Sequence, residues 1–314
     1  MRCLILGIIM MLLVGCGSSV NDNPNECVYS VQDDFGNIVE FTSKPQRVYA
    51  TTLSIEEILV ELIPPERIAA ISTDAVDDNY SLIVDKAQRI SKKVPPRINV
   101  ESVVALRPDL VIVQANVNKA YIDALKDVGL KVFVTKVPTT INMVKSRIIK
   151  ISEAVGEVEK GKLIIGEMNK KLSSVDSKVG ALPKNKRKIA IAYSMLGAFG
   201  SKDGLYNDIC ERSGLLNGAA IAGLVRGEHL SKERIVDINP DVLIFPSYSS
   251  TQKGDVERMR QEVLNDPSLQ TTNAIVNNNY IIINDRYRYS ASQYIADGVL
   301  DISRKAYPEL YNKR

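Results

Sequence analysis

One segment occurs twice in the chain, and it limits the possible folds more than any other feature. Asn99, Glu101, Pro108 and Asp109 recur at the same spacing as Ser231, Glu233, Pro240 and Asp241. In each copy a polar residue opens a short helical pattern, Glu follows, and Pro-Asp ends it. An apolar run comes next, residues 110–113 in the first copy and 242–245 in the second. A capped helix stopped by proline and followed by a buried strand is a piece of a βαβ unit. Two copies in matching places imply two related lobes.

The rest of the chain agrees. Short β-rich runs at 48–50, 68–71, 110–113 and 132–134 alternate with helical patterns at 55–63, 100–106 and 119–128. A second series follows, with strands at 189–192, 242–245 and 280–283 and helices at 206–213, 256–264 and about 291–306. Such alternation predicts mostly parallel sheets. Ser54 with Glu57 reads as a capping box for the first helix, and Pro64-Pro65 ends it. Residues 31–41, around Asp34-Phe35-Gly36-Asn37, read as a hairpin. Between the lobes, 141–154 is one amphipathic pattern. A longer one has Leu163, Ile164, Met168, Leu172, Val175 and Val179 at helical spacings. The predicted class is α/β: two Rossmann-like lobes with mostly parallel sheets, joined by one long backbone helix. The predicted divisions are 1–15, 16–44 (tether and hairpin), 45–156 (first lobe), 157–182 (linking helix) and 183–314 (second lobe).

The beginning of the chain has its own pattern. Met1-Arg2 precedes an unbroken apolar or small run from Cys3 to Val14, and then Leu13-Val14-Gly15-Cys16. The run is too short for a bilayer core, which takes roughly 20 residues, and reads as a signal-peptide core. The Leu-Val-Gly-Cys ending resembles a bacterial lipobox. That resemblance implies acylation of Cys16 and anchorage at the cell membrane, facing the periplasm or the exterior. The alternatives are a plain secretory signal or a short buried helix. Cys27 and Cys210 remain after export. Their separation does not show whether they pair, and Cys210 lies in an apolar helical pattern that favours burial.

With these pieces in place, the chain resembles the periplasmic binding proteins that serve importers of iron–siderophore complexes, haem and cobalamin. The resemblance runs from Asp34-Phe35-Gly36-Asn37 to Tyr307-Pro308-Glu309-Leu310-Tyr311 and is most specific in the paired Glu…Pro-Asp segments. It implies a ligand held between two lobes with little closure, and an ABC permease with its ATPase as partners. It also implies that Glu101 and Glu233 dock on the permease. The ordinary alternative is that both simply favour a helix first turn.

Open α/β sheets bind ligands beyond the carboxyl ends of their strands. That rule selects Thr52 and Asn116 in the first lobe. In the second it selects Tyr193, Tyr248, Arg286, Tyr287, Arg288 and Tyr289, with Arg226 in a nearby loop. Arg suits carboxylate or catecholate oxygens, and Tyr suits flat rings. On this reading the second lobe supplies the aromatics and the positive charge, and Ser290 caps the last helix. The expected ligand is a ferric siderophore, with cobalamin, haem and an oxyanion such as molybdate as alternatives. His229 and Met195, or Tyr248 or Tyr193, are the haem-ligand candidates. A single His among 314 residues speaks against a bare zinc or manganese site. A net charge of +3 without a dense basic stripe speaks against nucleic acid. No catalytic elbow, zinc-protease motif or phosphate loop is present. The chain is therefore expected to be a monomeric binding protein without cofactor, metal site or catalytic residues, rather than a surface enzyme.

Overall fold

The structure, a computed structural model, describes residues 28–248, 255–288 and 290–312. Cys16, Cys27 and Tyr289 lie outside the described residues.

The chain opens with an antiparallel hairpin of β1 (Tyr29–Gln32) and β2 (Ile38–Phe41). Gly36 turns it at φ +86°, a conformation that only glycine adopts freely. The first lobe follows as β3 (Val48–Ala50), α1 (Leu53–Leu62), β4 (Ile68–Ser72), α2 (Val84–Gln88), β5 (Lys93–Val94), α3 (Val100–Ala105), β6 (Leu110–Gln114), α4 (Lys119–Asp127) and β7 (Val132–Thr135). Its five-stranded sheet is parallel throughout, in the order β5-β4-β3-β6-β7. Strands β4 and β6 are buried along their whole length, as expected of a sheet covered on both faces.

Helices α5 (Ile141–Ala154) and α6 (Val158–Val179) then run between the lobes. At about 1.5 Å per residue, the 22 residues of α6 span roughly 33 Å. Met168, Leu172, Val175 and Val179 form its buried stripe, whereas Leu163 is 70% exposed. One hydrophobic cluster joins Ile58 and Leu62 of α1, Ile148 and Ile151 of α5, and Met168 and Leu172 of α6 to Val299 and Ile302 of the second lobe.

The second lobe comprises β8 (Ile189–Ser194), β9 (Gly197–Phe199), α7 (Leu205–Arg212), β10 (Leu216–Asn217), α8 (Gly218–Ile221), α9 (Lys232–Ile238), β11 (Val242–Pro246), α10 (Asp255–Leu264), α11 (Asn273–Val276), β12 (Tyr280–Ile283), α12 (Asp285–Arg288), α13 (Ile295–Ala306) and α14 (Pro308–Tyr311). Strands β10-β8-β11-β12 are parallel, and β9 pairs antiparallel with β8.

The repeated segment has the same local structure in both lobes. Asn99 accepts a hydrogen bond from Ser102 N at 2.9 Å, and Ser231 accepts one from Arg234 N at 3.4 Å. Both helices end in a left-handed residue, Arg107 at φ 50° and Asn239 at φ 49°. The aspartate after each proline then ties to the neighbouring strand, Asp109 N to Arg47 O and Asp241 N to Ile189 O.

Two expected caps are corrected. Helix α1 is capped at Thr52, without a side-chain bond, so Ser54 lies inside the helix. Ser54 Oγ instead accepts from Arg147 Nη1 at 3.3 Å. Glu57 does not reach back to a cap. It is buried, and its Oε2 accepts from Ser290 at 3.0 Å and Ser292 at 2.6 Å in the other lobe. The last long helix starts at Ile295, so Ser290 does not cap it and is spent on Glu57. Cys210 is free and fully buried, and burial pushes its thiol up to about 12. No helix among the described residues is long and apolar enough to cross a membrane.

Candidate functional site

Strand β3 is central in the first sheet, and the chain leaves it in one direction towards β4 and β5 and returns to add β6 and β7 on the other side. The crevice that this reversal opens lies beyond the strand ends. A cavity of about 520 Å³ occupies it, lined by Tyr49–Leu53 from the end of β3 to the start of α1, Ser72 at the end of β4 and Asp74 just beyond it, Arg97 after β5, and Asn116 and Asn118 after β6. Tyr80 and Tyr121 complete its aromatic wall. Two expected residues, Thr52 and Asn116, are therefore brought together.

Several of its groups have altered acidity. Burial, then Asp77, raises the Asp74 carboxyl above its usual range. Burial, followed by Tyr121 and Glu56, raises the Tyr49 hydroxyl. The Tyr80 hydroxyl is raised by burial and then by Asp74, Asp285 and Glu57. Asp285 belongs to the second lobe, so Tyr80 marks where the two lobes approach.

Beneath the cavity lies a polar seam between the lobes. Glu57 takes the Ser290 and Ser292 hydroxyls, its carbonyl accepts from Gln293 Nε2 at 2.7 Å, and Tyr294 donates to Glu61 at 2.9 Å. Its neighbour Glu56 stays within the first lobe, accepting from Ser72 N and Ser72 Oγ, both at 2.6 Å. Burial pushes both carboxyls up to about 7, against the hydrogen bonds that pull them down. Arg147 of α5 is 2% exposed and donates to Gln114 Oε1 at 2.5 Å, Thr135 Oγ1 at 3.2 Å, Ser54 Oγ at 3.3 Å and Ala291 O at 3.4 Å. Burial holds its guanidinium down to about 10, which leaves it charged at neutral pH.

The second lobe presents a rim. Asp285 Oδ2 accepts from Tyr248 N at 2.7 Å, and Ser247 Oγ accepts from Asp285 N at 3.1 Å. This ties Tyr248 to α12, which carries Arg286 and Tyr287 and ends at Arg288. Gly298 lets α12 lie close, since a Cβ there would sit 2.9 Å from Tyr287 O. Arg226 is exposed in a separate loop with the exposed Val225 and His229. His229 packs beside Gly197, at the turn that carries Met195.

Two expectations need correction. Tyr193 is 5% exposed and stacks on Phe245 at 5.3 Å, because it faces the outer layer of β8. Its ring is core, not a ligand platform or a metal ligand. Nor does the second lobe hold all the aromatics and charge, since Arg97, Tyr80 and Tyr121 line the first-lobe cavity. Arg97 was missed because β5 has only two residues and leaves no apolar run to read. Its signal was Pro95-Pro96, which stops a strand. Tyr121 lies in the first turn of α4, where a helical pattern reads as packing. Among the described residues, no His, Cys, Asp and Glu cluster is suited to a metal ion.

Two α/β lobes joined by α6, with a cavity at a topological crevice, suit a binding protein for a small ligand. The family model described as "Periplasmic binding protein" matches residues 48–287. The chain belongs to that family and is a substrate-binding protein. It is similar to the uncharacterized ABC transporter substrate-binding lipoprotein YvrC of Bacillus subtilis, 25% identical over 74% of this chain and 76% of the relative. It is also similar to the cobalamin-binding protein of Halobacterium salinarum, 24% identical over 71% of this chain and 60% of the relative. The probable siderophore-binding lipoprotein YfiY of B. subtilis is 22% identical over 79% of each chain.

Proposed function

We propose that the chain is the substrate-binding lipoprotein of an ABC importer, and that its groove takes a ferric siderophore or a similar anionic metal chelate. The observation that carries this reading is the first-lobe cavity, which gathers Arg97, Tyr80 and Tyr121, with Tyr80 close enough to Asp285 of the second lobe to feel its charge. Guanidinium groups suit the oxygens of a chelate, and tyrosine rings suit its flat ligands. A relative described as a probable siderophore-binding lipoprotein, similar over 79% of each chain, supports the same class. On this reading Cys16 carries the lipid, and Glu101 and Glu233 meet the permease from matched first turns of α3 and α9. The protein acts as a monomer.

The test is a titration of purified protein with a ferric tris-catecholate, a ferric tris-hydroxamate, haem, cyanocobalamin and molybdate. The chain has no Trp, so tyrosine emission or thermal shift is the readout. Saturable binding of a ferric chelate, weakened ~10-fold or more by Arg97→Ala or Arg286→Ala, is expected for a lost charge-assisted hydrogen bond. Tight cyanocobalamin binding that ignores both changes, with no chelate bound, would overturn the ligand class and leave the family standing. A Cys16→Ala chain processed and retained at the membrane like wild type would overturn the lipid anchor.

A further inference from the structure

Arg147 is a buried cation on α5, and no carboxylate among the described residues pairs with it directly. A guanidinium only donates. It therefore decides which way its neighbours face. Gln114, at the end of β6 and 8% exposed, must turn Oε1 towards Arg147 Nη2. Its Nε2 is then left on the far side, where it donates to Asn116 Oδ1 at 3.0 Å. Asn116 thus has its oxygen turned towards Gln114, and its NH2 is the group left without a partner among the described residues. Asn118 repeats the outcome by another route, since its Oδ1 caps α4 by accepting from Ala120 N at 2.9 Å. Both asparagines line the cavity, and no hydrogen bond among the described residues takes their Nδ2 protons.

We infer that the buried Arg147–Gln114 pair sets the polarity of the first-lobe cavity, making it a wall of donors for the oxygen-rich, anionic face of the ligand. The inference rests on the reading of the groove as the ligand site and deepens it. Arg97 stands in the same lining, and helix α1 opens there at Thr52 with no side-chain cap over its first N–H groups. Asp74 is the one carboxylate in the lining. Gln114 and Arg147 touch no ligand on this account. They are positioning residues that act through Asn116.

The decisive variant is Gln114→Glu. A carboxylate accepts from Arg147 at least as well as the amide does, so the fold is retained. It cannot donate, so Asn116 must rotate, give its NH2 to the new carboxylate and turn Oδ1 to the cavity. Side-chain amide 1H–15N spectra of the ligand-free protein read this directly. In wild type the Gln114 NH2 is hydrogen-bonded and the Asn116 NH2 is solvent-like; in the variant the Asn116 signal moves to a hydrogen-bonded position. With a ferric tris-catecholate as probe, affinity is expected to fall ~10-fold or more while the thermal midpoint holds or rises. An unmoved Asn116 signal, or unchanged affinity for a bound probe, overturns the inference. Should wild type bind no ferric chelate, the ligand class proposed above fails, and the amide spectra alone decide the polarity relay. Asn116→Asp, with Arg147 and Gln114 untouched, should weaken the same probe by at least as much.

Discussion

The first copy of the repeated segment hangs two N–H groups of the adjoining chain on one carboxylate. Asp109 accepts from Gln46 N at 2.6 Å and Arg47 N at 2.9 Å. The second copy hangs one, Ile189 N on Asp241 at 2.9 Å, and uses its other oxygen on the Asn273 amide at 3.2 Å. Both devices fix the register between the strand after Pro-Asp and the central strand, β3 or β8. The frame is duplicated, whereas the surfaces built on it are not. The first lobe supplies the carboxylates of the seam and a deep cavity; the second supplies hydroxyls and a rim. Duplication preserves what holds a sheet in register, and the loops beyond the strand ends are left free to differ.

The two buried glutamates of α1 give the largest expected effect. Glu56 and Glu57 both have folded-state values of about 7, above the ordinary 4.5. A raised carboxyl stabilises the fold fully below about 4.5, and that stability is lost as pH rises through about 7. Asp266 has the opposite sign, held down to about 2 by Lys232, so its contribution is lost only as pH falls below the ordinary 3.8. The two windows do not overlap. Denaturant midpoints from pH 4.5 to 7.5 should therefore fall, and Glu57→Gln should flatten part of that slope, as should Glu56→Gln. If neither change alters the slope, the two buried glutamates are not titrating in this range.

The aspartate clamps come next. Asp109→Ala removes two charge-assisted bonds and should cost about 3 kcal/mol, the low end for two such bonds because the site is exposed. Asp241→Ala removes one to backbone and should cost about 1.5 kcal/mol. Equal midpoint shifts would mean that the frames are equivalent despite the different bond counts. The left-handed residue is a smaller lever. Asn tolerates φ near +50°, and Arg does so less readily. Arg107→Asn should stabilise by about 0.5 kcal/mol, since its carbonyl still accepts from Arg47 Nε, and Asn239→Arg should destabilise by a similar amount.

What could be read beforehand follows from what is local. The repeat, the alternation of strand and helix and the long amphipathic helix are periodic, and the strands fell within a residue or two of where apolar runs ended. Failures came where a partner is distant in sequence. Glu57 looks like a cap because its true partners, Ser290 and Ser292, are more than 230 residues away. Tyr193 looks like a strand-end ligand residue because alternation alone does not say which face of β8 is covered. Arg97 was hidden by a strand too short to leave a pattern. The Arg147–Gln114–Asn116 relay joins two elements through side chains, and spacing along the chain carries no trace of it.

The smallest effect on the folded chain is expected at Glu101 and Glu233, and this makes them the cleanest test of the duplicated frame. Both lie in the first turn of an exposed helix, at the same position in each copy. The Glu233 carboxyl is held below its usual range, chiefly by its own backbone N–H and then by Ser231. An exposed first-turn acid gains little from the helix dipole, so Glu→Ala at either site should barely shift stability. Neither residue lines the cavity, so ligand affinity should be unchanged. On the docking role proposed above, each lobe gives the permease one contact. Transport by cells carrying either single variant should therefore fall, and the double variant should fall further, with affinity intact. If transport is unaffected, the matched glutamates are only helix-start residues inherited with the frame. If affinity falls as well, the groove reaches these turns and the separation between frame and binding surface is wrong.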